Sequence, residues 1–410
     1  MSFFKRPLLQ NLLKNKINTY YLEYLRHFTK CSVHNESVHL IKSEPSEKSF
    51  SNNSTRTREL QSKSGIITVA RDRKQQFMSY FPDIVQELKW LTRKYDPLGL
   101  TEKHFERVLQ YNVPHGKMYC GISVLPAYEL MVPKGSLTEA DIKLAIYLGW
   151  CVEMIKAMLL IDDDIMDGSI TRRGKPCWYK LEDVQLTAIN DGLLIEESVY
   201  YILKKHFSHL QCYARLMEHF REMTFIGGVG QYLDSKSTQQ DVLSFTMEQF
   251  KVTAQNKASY SGIYFPIAAA MHLAMCNDPE AFRQAEAICL EIGYFVQLQN
   301  DFLDCFGDPE ITGKLGTDIQ EGKCTWLAVM CLQRATMAQK MILKECYGNN
   351  DSESVKIVKQ LYEELSLREI CAKQEELSYN MICRKIRETS ERHPIRVLQK
   401  LLGKTCQNTK

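Results

Sequence analysis

The chain has 410 residues, 44% hydrophobic and 25% charged, and its 52 lysines and arginines against 49 acids leave a net charge of +3. That length is enough for one large core or two. So small a basic excess, with no basic stripe interleaved with aromatics, excludes nucleic acid as a partner. No uninterrupted apolar run reaches transmembrane length, since the best, Ile263 to Met275, is too short and contains His272. The 14 cysteines show no CxxC pair and no disulfide-like spacing, so they read as reduced, mostly buried thiols of an intracellular compartment.

The first 65 residues differ from the rest. Up to Lys30, six basic residues face one acid, Glu23, and Leu8, Leu9, Leu12, Leu13, Tyr20, Tyr21 and Leu25 are spaced for an amphipathic helix. That composition is the one expected of a mitochondrial presequence, so the expected location is intracellular, mitochondrial or cytoplasmic. Residues 43–64 are rich in Ser, Asn, Thr, Glu and Lys and read as a disordered linker. The domain division is therefore a leader over 1–65 and a folded domain over 66–410.

From Ile66 onward the spacing is helical almost throughout. Leu144, Leu148, Val152, Ile155, Leu159 and Ile165 share one helical face, and Pro and Gly gather at a few breaks such as Pro114-His115-Gly116. Long helices joined by short breaks predict an all-α bundle. Gly227-Gly228-Val229-Gly230 follows helical sequence rather than a strand, which excludes a dinucleotide loop.

Two acidic clusters carry the chemistry. In Asp162-Asp163-Asp164-Ile165-Met166-Asp167, Asp163 and Asp167 lie four apart and Asp164 and Asp167 three apart, so they share a helix face. The second cluster is Asn300-Asp301-Phe302-Leu303-Asp304, and a continuing helix would align Asn300, Asp304 and Asp308. Unpaired buried acids repel one another, so they predict a hard cation among them, and two facing clusters suit two or three Mg²⁺ ions shared with substrate phosphates. Arg172, Arg173, Lys257, Lys314 and Lys323 lie in or near these segments and are suited to gripping a diphosphate.

Together these segments, with Cys177-Trp178-Tyr179 and Phe265 to Met271, resemble the trans-isoprenyl diphosphate synthases, farnesyl diphosphate synthases in particular, from about Gln110 to about Leu377. The resemblance implies an isoprenoid-synthase-type all-α bundle around a deep central cavity, and a homodimer. It implies an allylic diphosphate substrate and catalytic aspartate motifs at Asp163, Asp164 and Asp167 and at Asn300, Asp301 and Asp304. Metal would be held by Asp163, Asp167, Asn300, Asp301 and Asp304. Substrate would be held by Arg172, Arg173, Lys257, Gln297, Lys314, Lys323 and Lys117, with Gln231 and Asp234 facing the pocket.

Four positions depart from the family pattern. The second motif opens on Asn300, and Gly116-Lys117-Met118-Tyr119-Cys120 lacks the arginine that binds the incoming isopentenyl diphosphate. Lys156 replaces a Gln or His, and Val296 an aromatic. Losing a bidentate arginine removes a contact worth roughly 1.5–3 kcal/mol. With Met158 and Leu159 in place of bulky aromatics, these departures predict a sesquiterpene synthase like the insect enzymes derived from this family. Such an enzyme would cyclise (2E,6E)-farnesyl diphosphate. The alternative is a farnesyl or geranyl diphosphate synthase, and a third reading is a non-catalytic subunit. Tyr119, Tyr260, Phe295 and Phe302 are the candidate aromatic faces for a carbocation.

Overall fold

A computed structural model describes residues 73–308, 316–390 and 393–398. The chain divides into two units, Met1–Gly65 and Ile66–Lys410. The described residues belong to the second, so the expected leader and linker lie outside them.

The architecture is all-α. Helical residues 73–79 precede α1 (Phe81–Tyr95), α2 (Leu100–Asn112), α3 (Tyr119–Met131) and α4 (Glu139–Met166). A two-residue-per-strand hairpin follows, β1 (Thr171–Arg172) with β2 (Lys175–Pro176), then α5 (Thr187–Phe207), α6 (Tyr213–Ser237) and α7 (Met247–Ala254). A π-helix (Gln255–Tyr264) leads into α8 (Phe265–Leu273) and α9 (Pro279–Phe306). The remaining helices among the described residues are α10 (Asp318–Glu321), α11 (Trp326–Arg334), α12 (Met337–Cys346), α13 (Ser352–Glu364) and α14 (Leu367–Glu388).

Two 28-residue helices, α4 and α9, organise the bundle, each roughly 40 Å long at 1.5 Å per residue. Thr138 and Asp141 form a capping box at the start of α4, and Asp278 caps α9 ahead of Pro279 at its first turn. Both run through apolar cores and end on an acidic motif. The larger core surrounds α4, with Trp150 stacked on Phe77 at 4.3 Å between ring centroids. A second core gathers around Phe250, Leu298, Trp326 and Tyr362 on α7, α9, α11 and α13.

Several local features depart from the sequence reading. Helix α4 is long and apolar enough to cross a membrane by length and composition, although Glu153 and Lys156 interrupt its apolar run. Since 78% of that stretch is buried inside the protein, it is a core helix. Helix α9 ends at Phe306, capped by Gly307 in extended conformation, so Asp308 falls off the helix and the stripe through Asn300 and Asp304 stops there. The hairpin turn is two residues, Arg173 (φ 55°) and Gly174 (φ 74°), both left-handed as a type I′ turn requires. The Gly227–Gly230 run lies inside α6. A Cβ on Gly230 would come within 2.4 Å of Lys257 N, so this glycine lets α6 press against the backbone of the π-helix.

Candidate active site

The ends of α4, α6, α9 and the π-helix converge on one cavity of about 750 Å³. Among its lining residues are Asp163, Asp167, Arg172, Gln231, Asp234, Lys257, Gln297, Asn300, Asp301 and Lys323. The sequence assigned every one of these to the site. Lys314 lies outside the described residues.

The first acidic motif is held by cations from three other segments. Arg172, delivered by the hairpin, donates from Nη2 to Asp163 Oδ2 at 2.7 Å and to Asp164 Oδ1 at 2.6 Å. Lys257 Nζ donates to Asp163 Oδ1 at 2.7 Å and to Asp234 Oδ2 at 2.6 Å. Lys323 Nζ donates to Asp167 Oδ2 at 2.6 Å. Burial alone would raise the Asp163 carboxyl, but Lys257, Arg172 and Lys323 outweigh it and hold the group well below the ordinary range. For Asp167 burial wins, with repulsion from Asp163 beside it, and the carboxyl is raised despite Lys323 and Lys257. Asp164 is likewise raised by burial, although Arg172 opposes the shift. Burial disfavours the charge on Lys257, yet Asp163 and Asp234 raise it overall.

Lys257 owes its place to the π-helix. A wide turn of this kind is rare, recurs at functional sites, and was not foreseen from the sequence. The segment passes close to both neighbours, Gly230 of α6 and Gly293 of α9, where a Cβ would lie 2.4 Å from Ser259 Cα.

The second motif is arranged differently. Asn300 is exposed and lines the cavity. Asp301 is buried, with Oδ2 accepting from Trp326 N at 2.7 Å and Oδ1 from Gln297 Nε2 at 2.8 Å. Burial pushes its carboxyl up to about 7 against those two hydrogen bonds. Asp304 is buried and accepts from Asp318 N at 3.0 Å. The carboxylates brought within metal-sharing distance are Asp163, Asp167 and Asp234, each offering an oxygen within 4.8 Å of the others. An all-oxygen donor set fits Mg²⁺, the cofactor read from the sequence. Among the described residues Asp234, expected as a pocket-facing polar residue, thus groups with Asp163 and Asp167, while Asp301 and Asp304 accept hydrogen bonds from backbone N–H groups of other segments.

The same cavity is also lined by three further cations, Lys117, Lys156 and Arg173. Lys156 Nζ stands 3.5 Å from Cys120 Sγ, and that thiol donates to Gly262 O at 3.1 Å. Cys120 and burial act on Lys156 in opposite senses, and with Glu153 helping Cys120 its ammonium is held above the ordinary range. Burial lowers Arg173, though Glu153 opposes this. Of the candidate aromatic faces only Tyr119 lines the cavity. Tyr260 donates to Glu286 at 2.6 Å, Phe295 is core, and Phe302 packs on Phe306. Leu159 lines the cavity and Met158 is buried in the larger core.

The profile of the polyprenyl synthetase family matches residues 102–365. The farnesyl pyrophosphate synthase of Nezara viridula is 40% identical over 82% of this chain and 83% of its own length. That of Gallus gallus is 39% identical over 84% of this chain and 94% of its own length, and that of Rattus norvegicus 40% identical over 84% and 98%.

These relatives overturn the expectation of a sesquiterpene synthase, because the proteins this chain matches over most of its length carry the name of the chain-building enzyme. The physical reason lies beside Cys120, where the arginine is missing: Lys156 Nζ stands 3.5 Å from that thiol, and Lys117 and Arg173 line the same cavity, so this part of it is not stripped of cations. With its helical bundle, its Mg²⁺-binding aspartates and a cavity suited to an allylic diphosphate, the chain belongs to the polyprenyl synthetase family, enzymes of the prenyl-transferring class.

Proposed function

We propose that the protein is a prenyltransferase of the farnesyl diphosphate synthase type, joining isopentenyl diphosphate to an allylic diphosphate. The observation that carries this reading is that one cavity is lined by two sets of cations: Arg172, Lys257 and Lys323, which are bonded to the first-motif aspartates, and Lys117, Lys156 and Arg173 beside Cys120. A cyclase needs one diphosphate seat, whereas a condensing enzyme needs two.

Arg172, Lys257 and Lys323 hold the diphosphate of the allylic substrate as its C1–oxygen bond breaks. Lys117, Lys156 and Arg173 hold the second diphosphate so that its alkene carbon bonds to the allylic carbon, and the resulting cation then gives a proton to the released diphosphate or to water. When bound to Asp163, Asp167 and Asp234, Mg²⁺ supplies charge stabilisation for the departing diphosphate. Leu159, Leu160, Ile263 and Val296 give the cavity an apolar wall for the hydrocarbon tail and exclude water from the cation.

The test supplies geranyl or dimethylallyl diphosphate with Mg²⁺, with and without isopentenyl diphosphate. A chain-extended diphosphate formed only in the presence of both substrates is the expected result. Failure to extend any allylic diphosphate would overturn the reading.

We also propose a homodimer. Leu186, Ile189 and Leu193 at the start of α5, and Phe225 and Tyr232 on α6, are 55–73% exposed, an apolar surface that a second copy would cover. Sedimentation at micromolar concentration should give a two-chain species, and Phe225→Glu should shift it toward one chain.

A further inference from the structure

Behind the second cationic group is a carboxylate with no role so far. Glu153 is 2% exposed and is the only acid between Asp141 and Asp162. It sits three residues before Lys156 on the same face of α4. Its Oε1 accepts from Gly121 N at 2.8 Å. Gly121 is in the first turn of α3, where backbone N–H groups have no intrahelical partner, and the residue ahead of that helix, Met118, offers no side-chain cap. Glu153 therefore caps α3 from a neighbouring helix, an arrangement that the helix dipole favours.

The reach depends on how closely the two helices cross. A Cβ on Gly121 would lie 2.5 Å from Gly149 O, and one on Gly149 would lie 2.4 Å from Gly121 O, so backbone meets backbone there. The end of α3 thus pinned carries Tyr119 and Cys120 to the cavity wall, just after Lys117. The charge on Glu153 also acts on Lys156 and Arg173, favouring their protonated forms.

We infer that Glu153 is a positioning residue for the second diphosphate seat: it fixes the start of α3 against α4, and its buried charge moderates how tightly Lys117, Lys156 and Arg173 hold the homoallylic diphosphate. This inference rests on the two-seat reading above. The diphosphate held there is the one that remains on the extended product, so an over-tight seat would slow turnover and a misplaced one would weaken binding.

The experiment is steady-state kinetics with both substrates varied, on variants whose helicity is verified by circular dichroism. Glu153→Gln keeps an acceptor for Gly121 N and removes the charge. Its KM for isopentenyl diphosphate should fall about tenfold and kcat should fall with it, while KM for the allylic diphosphate stays within about twofold. Glu153→Asp keeps the charge and shortens the reach. Its KM for isopentenyl diphosphate should rise about tenfold with the allylic KM again nearly unchanged. If the Gln variant does not fold, the Asp variant decides. An unchanged isopentenyl KM, or equal shifts for both substrates, overturns the inference. Wild-type enzyme that never extends an allylic diphosphate would sink the two-seat reading itself, which is a separate outcome.

Discussion

Lys257 touches two carboxylates that lie 71 positions apart in the chain, Asp163 and Asp234. That single ammonium explains why Asp234 belongs with the first motif, and it leads to a contrast between aspartates. Asp234→Asn should raise the Mg²⁺ concentration for half-maximal rate by roughly tenfold. Asp301→Asn should move that midpoint far less and lower thermal stability instead, because both Asp301 oxygens are already engaged by Trp326 N and Gln297. Magnesium titrations of rate, paired with thermal melts, check both, and the reverse ranking would return the metal to the second motif. Spacing in the sequence put the acids of each motif on one helix face, because three- and four-residue intervals fix such a face, whereas Asp234, Gln297 and Lys257 were placed at the site by resemblance. It could not show which carboxylates are already engaged within the fold, because that depends on Trp326 and Lys257, which come from other segments.

Helices α4 and α9 were legible as apolar sequence ending in acids, since burial and period are local properties. The hairpin and the π-helix were not. Two residues per strand give no alternation to read, and a wide turn leaves no mark in hydrophobic period. The crossing of α3 and α4 was equally hidden, since the sequence shows two glycines but not that their backbones touch. Gly149→Ala would push a methyl group into Gly121 O and force the helices apart. A loss of about 1–3 kcal/mol in denaturant unfolding is expected, together with weaker use of isopentenyl diphosphate. Wild-type stability in that variant would mean that the crossing has slack.

Across the whole molecule, the larger core contains two imidazoles that resist protonation. Burial pushes His219 down to about 3 and His272 down to about 4. An unfolded chain would protonate both near their ordinary value of about 6.5. Stability present above that pH is therefore lost as pH falls toward 4, because the unfolded chain takes up protons that the folded one refuses. His272→Phe removes one of these titrations and suits the ring packing on Phe282. Its denaturant-unfolding free energy should decline less between pH 6.5 and 4 than that of the wild type, and parallel profiles would refute this. The ten residues from Gln255 to Tyr264 have a different reach. A π turn uses more residues than an α turn to cover the same rise, so shortening this stretch by one amino acid would let it rewind into ordinary helix. The rewinding absorbs the missing residue, so the helix on either side keeps its register, while side chains inside the stretch are re-aimed by up to about 100°, the rotation per residue of an α-helix. Lys257 would turn away from the aspartates while the bundle stayed folded. A one-codon deletion could therefore convert this enzyme into an inert scaffold of the same shape.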